Sequence, residues 1–217
     1  MQSKWFLRLG EIVVVELREA LTQITEIRQQ MARSEIFHGY RSLPIASTGA
    51  IAILGAFLQP VLVVSPREQL DHYLALWFGI AAIGIALPGI QLIKRVQRAG
   101  PGVSREQTRL AVEQFLPCLL VGGLLTICLY KGPSDTTWTL PGLWSLLFAL
   151  GIFSSGRLVP SQLVWAGLYY ALVGCYCLLV GHGEQAFAPW QMGVSFGGGQ
   201  LLTAAILYFT LERHHGR

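Results

Sequence analysis

The stretch Gln185–Leu211 reads QAFAPWQMGVSFGGGQLLTAAILYFTL, and its 27 residues include no charged side chain. Its centre is rich in glycine, which costs about 1 kcal/mol per residue relative to alanine in a helix in water. In a membrane, glycines four residues apart allow a neighbouring helix to approach closely. The stretch is therefore predicted to be a transmembrane helix packed tightly against a partner, with four glycines in the contact: Gly193, Gly197, Gly198 and Gly199.

The composition indicates that most of the chain lies in lipid. Hydrophobic residues make up 53% of the sequence and charged residues 13%, whereas soluble domains carry roughly 25% charged residues. The four cysteines lie in uncharged stretches without the spacing of a zinc or redox motif, so they are predicted to be packed apolar residues: Cys118, Cys128, Cys175 and Cys177. No cofactor is expected.

Uncharged runs divide the chain into spans long enough to cross a bilayer, which takes about 20 apolar residues. We predict an all-α polytopic membrane protein: residues 1–41 form a cytoplasmic amphipathic helix, 42–211 a six-transmembrane-helix bundle, and 212–217 a cytoplasmic tail. The predicted spans are 42–65, 73–93, 114–131, 140–156, 161–181 and 187–211.

The link between the second and third spans is predicted to be largely helical. Ser104 and Gln107 have the spacing of a capping box, which marks a helix start. No helix breaker follows before Pro117. The helix that begins here is therefore expected to run directly into the membrane.

The basic residues predict the orientation of the bundle. With six spans, 14 lysines and arginines fall on the side of both termini, and only Arg67 and Lys131 fall on the other. Loops rich in lysine and arginine stay in the cytoplasm. Both termini are therefore predicted to be cytoplasmic in a bacterial plasma (inner) membrane.

The amino-terminal segment carries an apolar stripe at helical spacing, which needs a cover. The stripe could lie on the bilayer surface, dock on the protein's own loops, or pair with another chain. Charges of both signs beside it disfavour simple lipid binding, so docking on a cytoplasmic regulator protein or a second copy is preferred. The predicted docking residues are Leu17, Leu21, Ile24, Ile27 and Met31.

Two groups of residues are candidate ligand sites. If the second and fifth spans are neighbours, imidazoles and carboxylates at one end of the bundle would hold a divalent cation: Asp71, His72, His182 and Glu184. The more ordinary interpretation is a set of solvated loop residues. Within the membrane, Ser195 and Gln200 beside the glycines would line a pocket or conduction path, or would simply form hydrogen bonds between helices.

Several segments carry a resemblance to a known group of proteins. These segments are Ile27–Ser34 near the start, Leu140–Trp144 followed by Leu147–Gly151, Gly197–Gly199, and the ending Glu212–Gly216. Together they resemble an uncharacterised family of small bacterial six-helix membrane proteins. Members of that family tend to be encoded beside a winged-helix transcriptional regulator. The resemblance implies a regulatory pairing and supplies no active site.

The distribution of charge leads to a hypothesis about function. Every Asp, Glu, Lys and Arg lies at or beyond a predicted span boundary, whereas proton transfer and ion coupling need ionisable groups inside the membrane. We therefore expect a non-enzymatic regulatory or scaffold protein. Its expected partners are membrane lipids and, as one option, a second copy of the chain in a homo-oligomer. Direct binding to nucleic acid is not expected. The alternative is a small uncoupled transporter or channel, and an enzyme is the third hypothesis.

Overall fold

The computed structural model describes residues 42–99, 103–156 and 160–212, and these residues form helices joined by short turns. The predicted amphipathic helix with its docking residues and the tail from residue 213 onward lie outside the described residues. The helices are α1 (Ser42–Leu62), α2 (Leu70–Ala99), α3 (Val103–Lys131), α4 (Leu140–Ser154) and α5 (Val164–Val180).

The sixth span consists of consecutive helical segments of two types. The segments are α6 (Pro189–Met192), a π-helical turn (Gly193–Gly198), α7 (Gly199–Leu207) and a second π-helical turn (Tyr208–Glu212). Short 3₁₀ turns link the helices at Ser134–Thr139, Ser161–Leu163 and Gly183–Gln185.

Within the part of the chain that the structure describes, six stretches are long and apolar enough to cross a membrane: Ser42–Leu62, Leu70–Ile90, Glu113–Lys131, Asp135–Ser154, Ser161–Val180 and Pro189–Thr210. Large apolar side chains cover their outer surface; Phe57, Val61 and Leu179 are each more than 70% exposed. Such side chains are stable in contact with lipid and unfavourable in contact with water. The prediction of an all-α bundle with six spans is confirmed, and the chain is a multi-pass membrane protein.

Helices α2 and α3 continue well beyond their apolar parts. The apolar part of α2 ends at Ile90, whereas the helix ends at Ala99, and α3 begins at Val103, ten residues before its apolar part. At 1.5 Å per residue, each extension is about 14 Å long. The continuous helix α3 agrees with the capping-box prediction.

Close backbone contacts hold the bundle together in two places. Helix α4 packs against α5 through Gly142 and Gly174, where an added Cβ on either glycine would lie 2.9 Å from the carbonyl oxygen of the other. Helix α1 packs against the sixth span, where Gly193 faces Ala56 and Gly197 faces Ile53. In lipid, such small-residue contacts replace the hydrophobic driving force that is lost there.

One end of the bundle, which we call the hairpin end, contains the turns at residues 63–69, 132–139 and 181–188. The last of these turns is anchored in the core by Phe187, which has a φ of 60° and is buried. Gln59 Nε2 donates a 2.7 Å hydrogen bond to the Phe187 carbonyl oxygen, and Trp77 Nε1 donates a 3.0 Å bond to Gln59 Oε1.

Helices α2 and α3 lie at the periphery of the bundle. In their span windows only 11% and 6% of the residues are buried, against 33% to 39% in the other spans. Helix α3 contacts α4, whereas its contact with α2 is small. The two helices therefore present most of their surface to lipid and leave an opening between them.

Candidate functional site

Charged residues lie at a four-residue spacing along α3 where it enters the membrane. Arg105, Arg109 and Glu113 are each four positions apart, so the helical register places them on one face. Glu113 is the first residue of the third candidate span. The charged face therefore ends where the apolar span begins.

The start of α3 is also a favourable place for an anion. The first N–H groups of a helix have no partner within that helix, and its dipole is positive at this end. Ser104 and Arg105 occupy the first turn, and α2 ends only four positions earlier along the chain, at Ala99. The last part of α2 carries Lys94, Arg95 and Arg98. Five basic positions thus belong to the end of α2 and the first part of α3.

Contacts with α4 hold α3 in place directly below the charged face. Ser154 Oγ donates a 3.3 Å hydrogen bond to the Gln114 carbonyl oxygen. The Phe115 ring meets the Phe148 ring edge to face, with centroids 5.0 Å apart, and lies against Gly151. Because α3 is fixed by these contacts, its backbone does not have to become ordered when a ligand binds, and binding costs less conformational entropy.

The glycines of the sixth span contact two neighbouring helices. Gly193 and Gly197 lie against α1, whereas Gly198 lies against the Tyr169 hydroxyl and Gly199 against the Tyr170 ring on α5. The four glycines therefore occupy contacts in which a larger side chain would overlap its neighbour. Tyr169 also donates a 2.7 Å hydrogen bond to the Val194 carbonyl oxygen.

The two polar residues proposed to line a path in the sixth span lie in helix contacts. Ser195 is fully buried and donates a 2.8 Å hydrogen bond to Ser145 Oγ, which in turn donates to the Tyr170 carbonyl oxygen at 2.8 Å. Gln200 is half-buried, and its Cβ lies next to Gly49 of α1. Ser195 thus joins three spans through hydrogen bonds and fills space between them.

The residues of the proposed metal cluster contact different neighbours. Asp71 lines a groove together with Tyr130, and the His182 ring lies edge to face against Trp138 with centroids 6.0 Å apart. His72 and Glu184 are exposed. Among residues 42–99, 103–156 and 160–212, no three His, Cys, Asp or Glu side chains are placed to hold a metal ion. The structure thus gives the proposed metal site no support.

Sequence comparison relates the chain to a membrane enzyme. It is 28% identical over 155 residues to undecaprenyl-diphosphatase 2 of Burkholderia thailandensis. The matched region covers 66% of this chain and 55% of that protein, so the chain spans about half the length of the curated relative it matches. No family model and no solved structure matches the chain.

This similarity contradicts the hypothesis of a non-enzymatic regulatory or scaffold protein, and its alternative of an uncoupled transporter or channel. The expectation that the chain is not an enzyme is wrong for the same reason. That expectation rested on the absence of ionisable groups inside the hydrocarbon. An enzyme that acts on a lipid headgroup has no need of them, because the headgroup lies at the membrane surface.

Sequence reasoning overlooked the charged face of α3. Arg105 and Arg109 contributed only to the count of basic residues that predicts the orientation. The signal that identifies them is their four-residue spacing, together with Glu113 at the boundary of an uncharged run. The helix predicted to begin at Ser104 already places the three residues on one face, so the signal was present in the sequence.

Proposed function

We propose that the protein is a membrane enzyme that hydrolyses a lipid-linked diphosphate to a lipid monophosphate and inorganic phosphate. The observation that carries the proposal is the similarity to undecaprenyl-diphosphatase 2 over 155 residues. The proposed substrate class is accordingly a long isoprenoid chain that bears a diphosphate. The helical and apolar character of the chain suits a substrate that stays in the bilayer.

The charged face of α3 supplies suitable binding chemistry for the diphosphate. Arginine binds phosphate oxygens through two parallel hydrogen bonds, and helix N-termini attract phosphate. We assign Arg105 and Arg109 to the phosphate groups, with the N–H groups of the first turn of α3 completing the site. Positive groups around the phosphates offset the negative charge that the reacting phosphoryl group carries.

The reaction is a single displacement at phosphorus. The oxygen of a water molecule bonds to the terminal phosphorus, the phosphoanhydride bond breaks, and its electron pair stays with the lipid monophosphate. Glu113 lies on the same helical face as both arginines, at the edge of the span. We assign it the role of accepting the proton from the water, because a carboxylate within hydrogen-bond reach of a nucleophile acts as a general base.

The orientation of the bundle is a further part of the proposal. We place both termini and the link between α2 and α3 in the cytoplasm of a bacterium, at its inner membrane, because 14 of 16 basic residues belong to that side. Alkaline phosphatase fused after residue 217 is expected to be inactive, and green fluorescent protein at that position is expected to fluoresce. The reverse pattern would contradict the orientation.

Hydrolysis by the wild-type protein tests the proposed function. The protein, purified in detergent, is incubated with undecaprenyl diphosphate, with and without Mg²⁺, because divalent cations bridge phosphate oxygens in phosphoryl-transfer sites. Inorganic phosphate and lipid monophosphate are expected in equal amounts. A chain with both Arg105→Gln and Glu113→Gln, purified in the same way, controls for contaminating phosphatases. Equal phosphate release by the two preparations would refute the proposal.

A further inference from the structure

A groove opens between α2 and α3 near the hairpin end of the bundle. Its volume is about 420 Å³, which lies within the ~300–1,000 Å³ typical of small-molecule sites. It is formed where the two peripheral helices make little contact with each other. Because both helices belong to candidate spans, the groove opens sideways into the region of the lipid chains.

The walls of the groove are apolar. Leu74 and Phe78 line it from α2, and Ile127 lines it from α3. Gly123 leaves a gap in the α3 wall, since an added Cβ there would find no neighbouring atom within 4 Å. This surface suits a hydrocarbon chain.

The base of the groove is held in place by Thr126, whose hydroxyl forms two hydrogen bonds within the protein. The Thr126 hydroxyl donates a 2.7 Å bond to the Gly122 carbonyl oxygen and accepts a 2.9 Å bond from Trp144 Nε1. The Trp144 ring lies 5.7 Å from the Phe78 ring, between centroids. The Thr126 hydroxyl and the Trp144 indole N–H at the base therefore have their hydrogen bonds within the protein. An apolar ligand can contact the base without breaking a hydrogen bond to water.

One end of the groove is charged. Asp71 lies in the first turn of α2, and it lines the groove together with Tyr130 near the end of α3. Lys131, the last residue of α3, is exposed one position further along. The Asp71 carboxylate attracts the ammonium of a zwitterionic headgroup, whereas it repels a headgroup whose only charge is negative.

We propose that the groove between α2 and α3 binds one chain of a phospholipid that carries a primary ammonium group, such as phosphatidylethanolamine, with the ammonium on Asp71. The site is separate from the diphosphate site on α3 and does not depend on the proposed function. The bound lipid fills the space that the peripheral helices leave open. It is recognised through its chain by Phe78 and Ile127 and through its headgroup by Asp71.

Native mass spectrometry of the full chain tests this site, with phosphatidylethanolamine and phosphatidylglycerol of identical acyl chains as probes. The wild type is expected to bind phosphatidylethanolamine at least 10-fold more tightly. Gly123→Leu fills the groove and should weaken this binding about 10-fold. Gly79→Leu is the matched control, because Gly79 on α2 also faces open space and lies outside the groove. Asp71→Asn should remove the preference between the two lipids.

A second pair of variants covers the case in which Gly123→Leu fails to fold. Ile127→Trp fills the groove from a half-exposed position, and Leu124→Trp places the same side chain on the exposed surface of α3 outside it. Equal binding of the two lipids by the wild type would overturn the proposal. So would groove-filling variants that bind like their controls. A dimer that Gly123→Leu dissociates, without bound lipid, would instead assign the groove to a second copy and would also overturn it.

Discussion

Replacing Arg105 with glutamine is expected to slow phosphate release from a lipid-linked diphosphate about 100-fold. Removing one preorganised donor to a reacting oxyanion costs roughly 10² to 10³ in rate, or about 3 kcal/mol. Arg105 lies in the first turn of α3, where its charge adds to that of the helix N-terminus. The measurement is the rate of phosphate release by the purified variant over a range of substrate concentrations.

Arg67→Gln is the matched control for this substitution. Arg67 is an exposed arginine in the turn between α1 and α2, at the hairpin end of the bundle. The Arg67→Gln substitution removes the same charge at a position far along the chain from the proposed phosphate site. Arg67→Gln should hydrolyse substrate at the wild-type rate. If Arg105→Gln were as active as Arg67→Gln, the phosphate site would not lie at the start of α3.

Replacing Gly174 with valine is expected to destabilise the bundle by about 3 kcal/mol, since overpacking a tight contact costs 1–3 kcal/mol and sometimes more. An added Cβ would lie 2.9 Å from both the Gly142 carbonyl oxygen and Leu146 Cγ. Backbone on α4 cannot move aside without separating the two helices. The thermal unfolding midpoint, followed in detergent by a thiol-reactive dye or by circular dichroism, should fall by roughly 10 °C.

Gly79→Val serves as the control for Gly174→Val. Gly79 is also in the interior of an apolar helix, but an added Cβ there meets no atom within 4 Å. Any intrinsic cost of valine in a helix is common to both variants, so the difference between them measures the contact between α4 and α5. Equal unfolding midpoints would contradict the close backbone approach of these helices.

The spans and their number follow from the sequence because they depend on local properties. An uncharged run of about 20 residues satisfies its own backbone hydrogen bonds only as a helix in lipid. The glycine spacing in the sixth span also points to a close contact, and the structure gives the partners as Ile53 and Ala56 on α1. The identity of the partner helix cannot be read from one helix alone.

Contacts between distant residues were beyond the reach of sequence reasoning. Gln59 and Phe187 are 128 positions apart, and their hydrogen bond depends on a turn in which Phe187 adopts a positive φ. Phenylalanine seldom adopts this conformation, so the sequence contains no local signal for it. Gly142 and Gly174 likewise resemble the many other glycines of the chain until α4 and α5 are placed side by side.

The function was misjudged for a physical reason that the α3 helix illustrates. The hypothesis of a non-enzymatic protein rested on the absence of charged groups from the predicted spans. The proposed chemistry takes place at the level where Glu113 begins the span and the two arginines extend beyond it. A substrate that is itself a lipid brings its phosphates to that level, so the protein needs no buried charge to bind them.

The most direct test of the account is hydrolysis in water enriched in oxygen-18. The wild-type protein is incubated with undecaprenyl diphosphate, and both products are analysed by mass spectrometry. Attack of water on the terminal phosphorus predicts one labelled oxygen in the inorganic phosphate and none in the lipid monophosphate. If no phosphate appeared above the level released by the doubly substituted control, or if the label entered the lipid product, the proposed reaction would be contradicted.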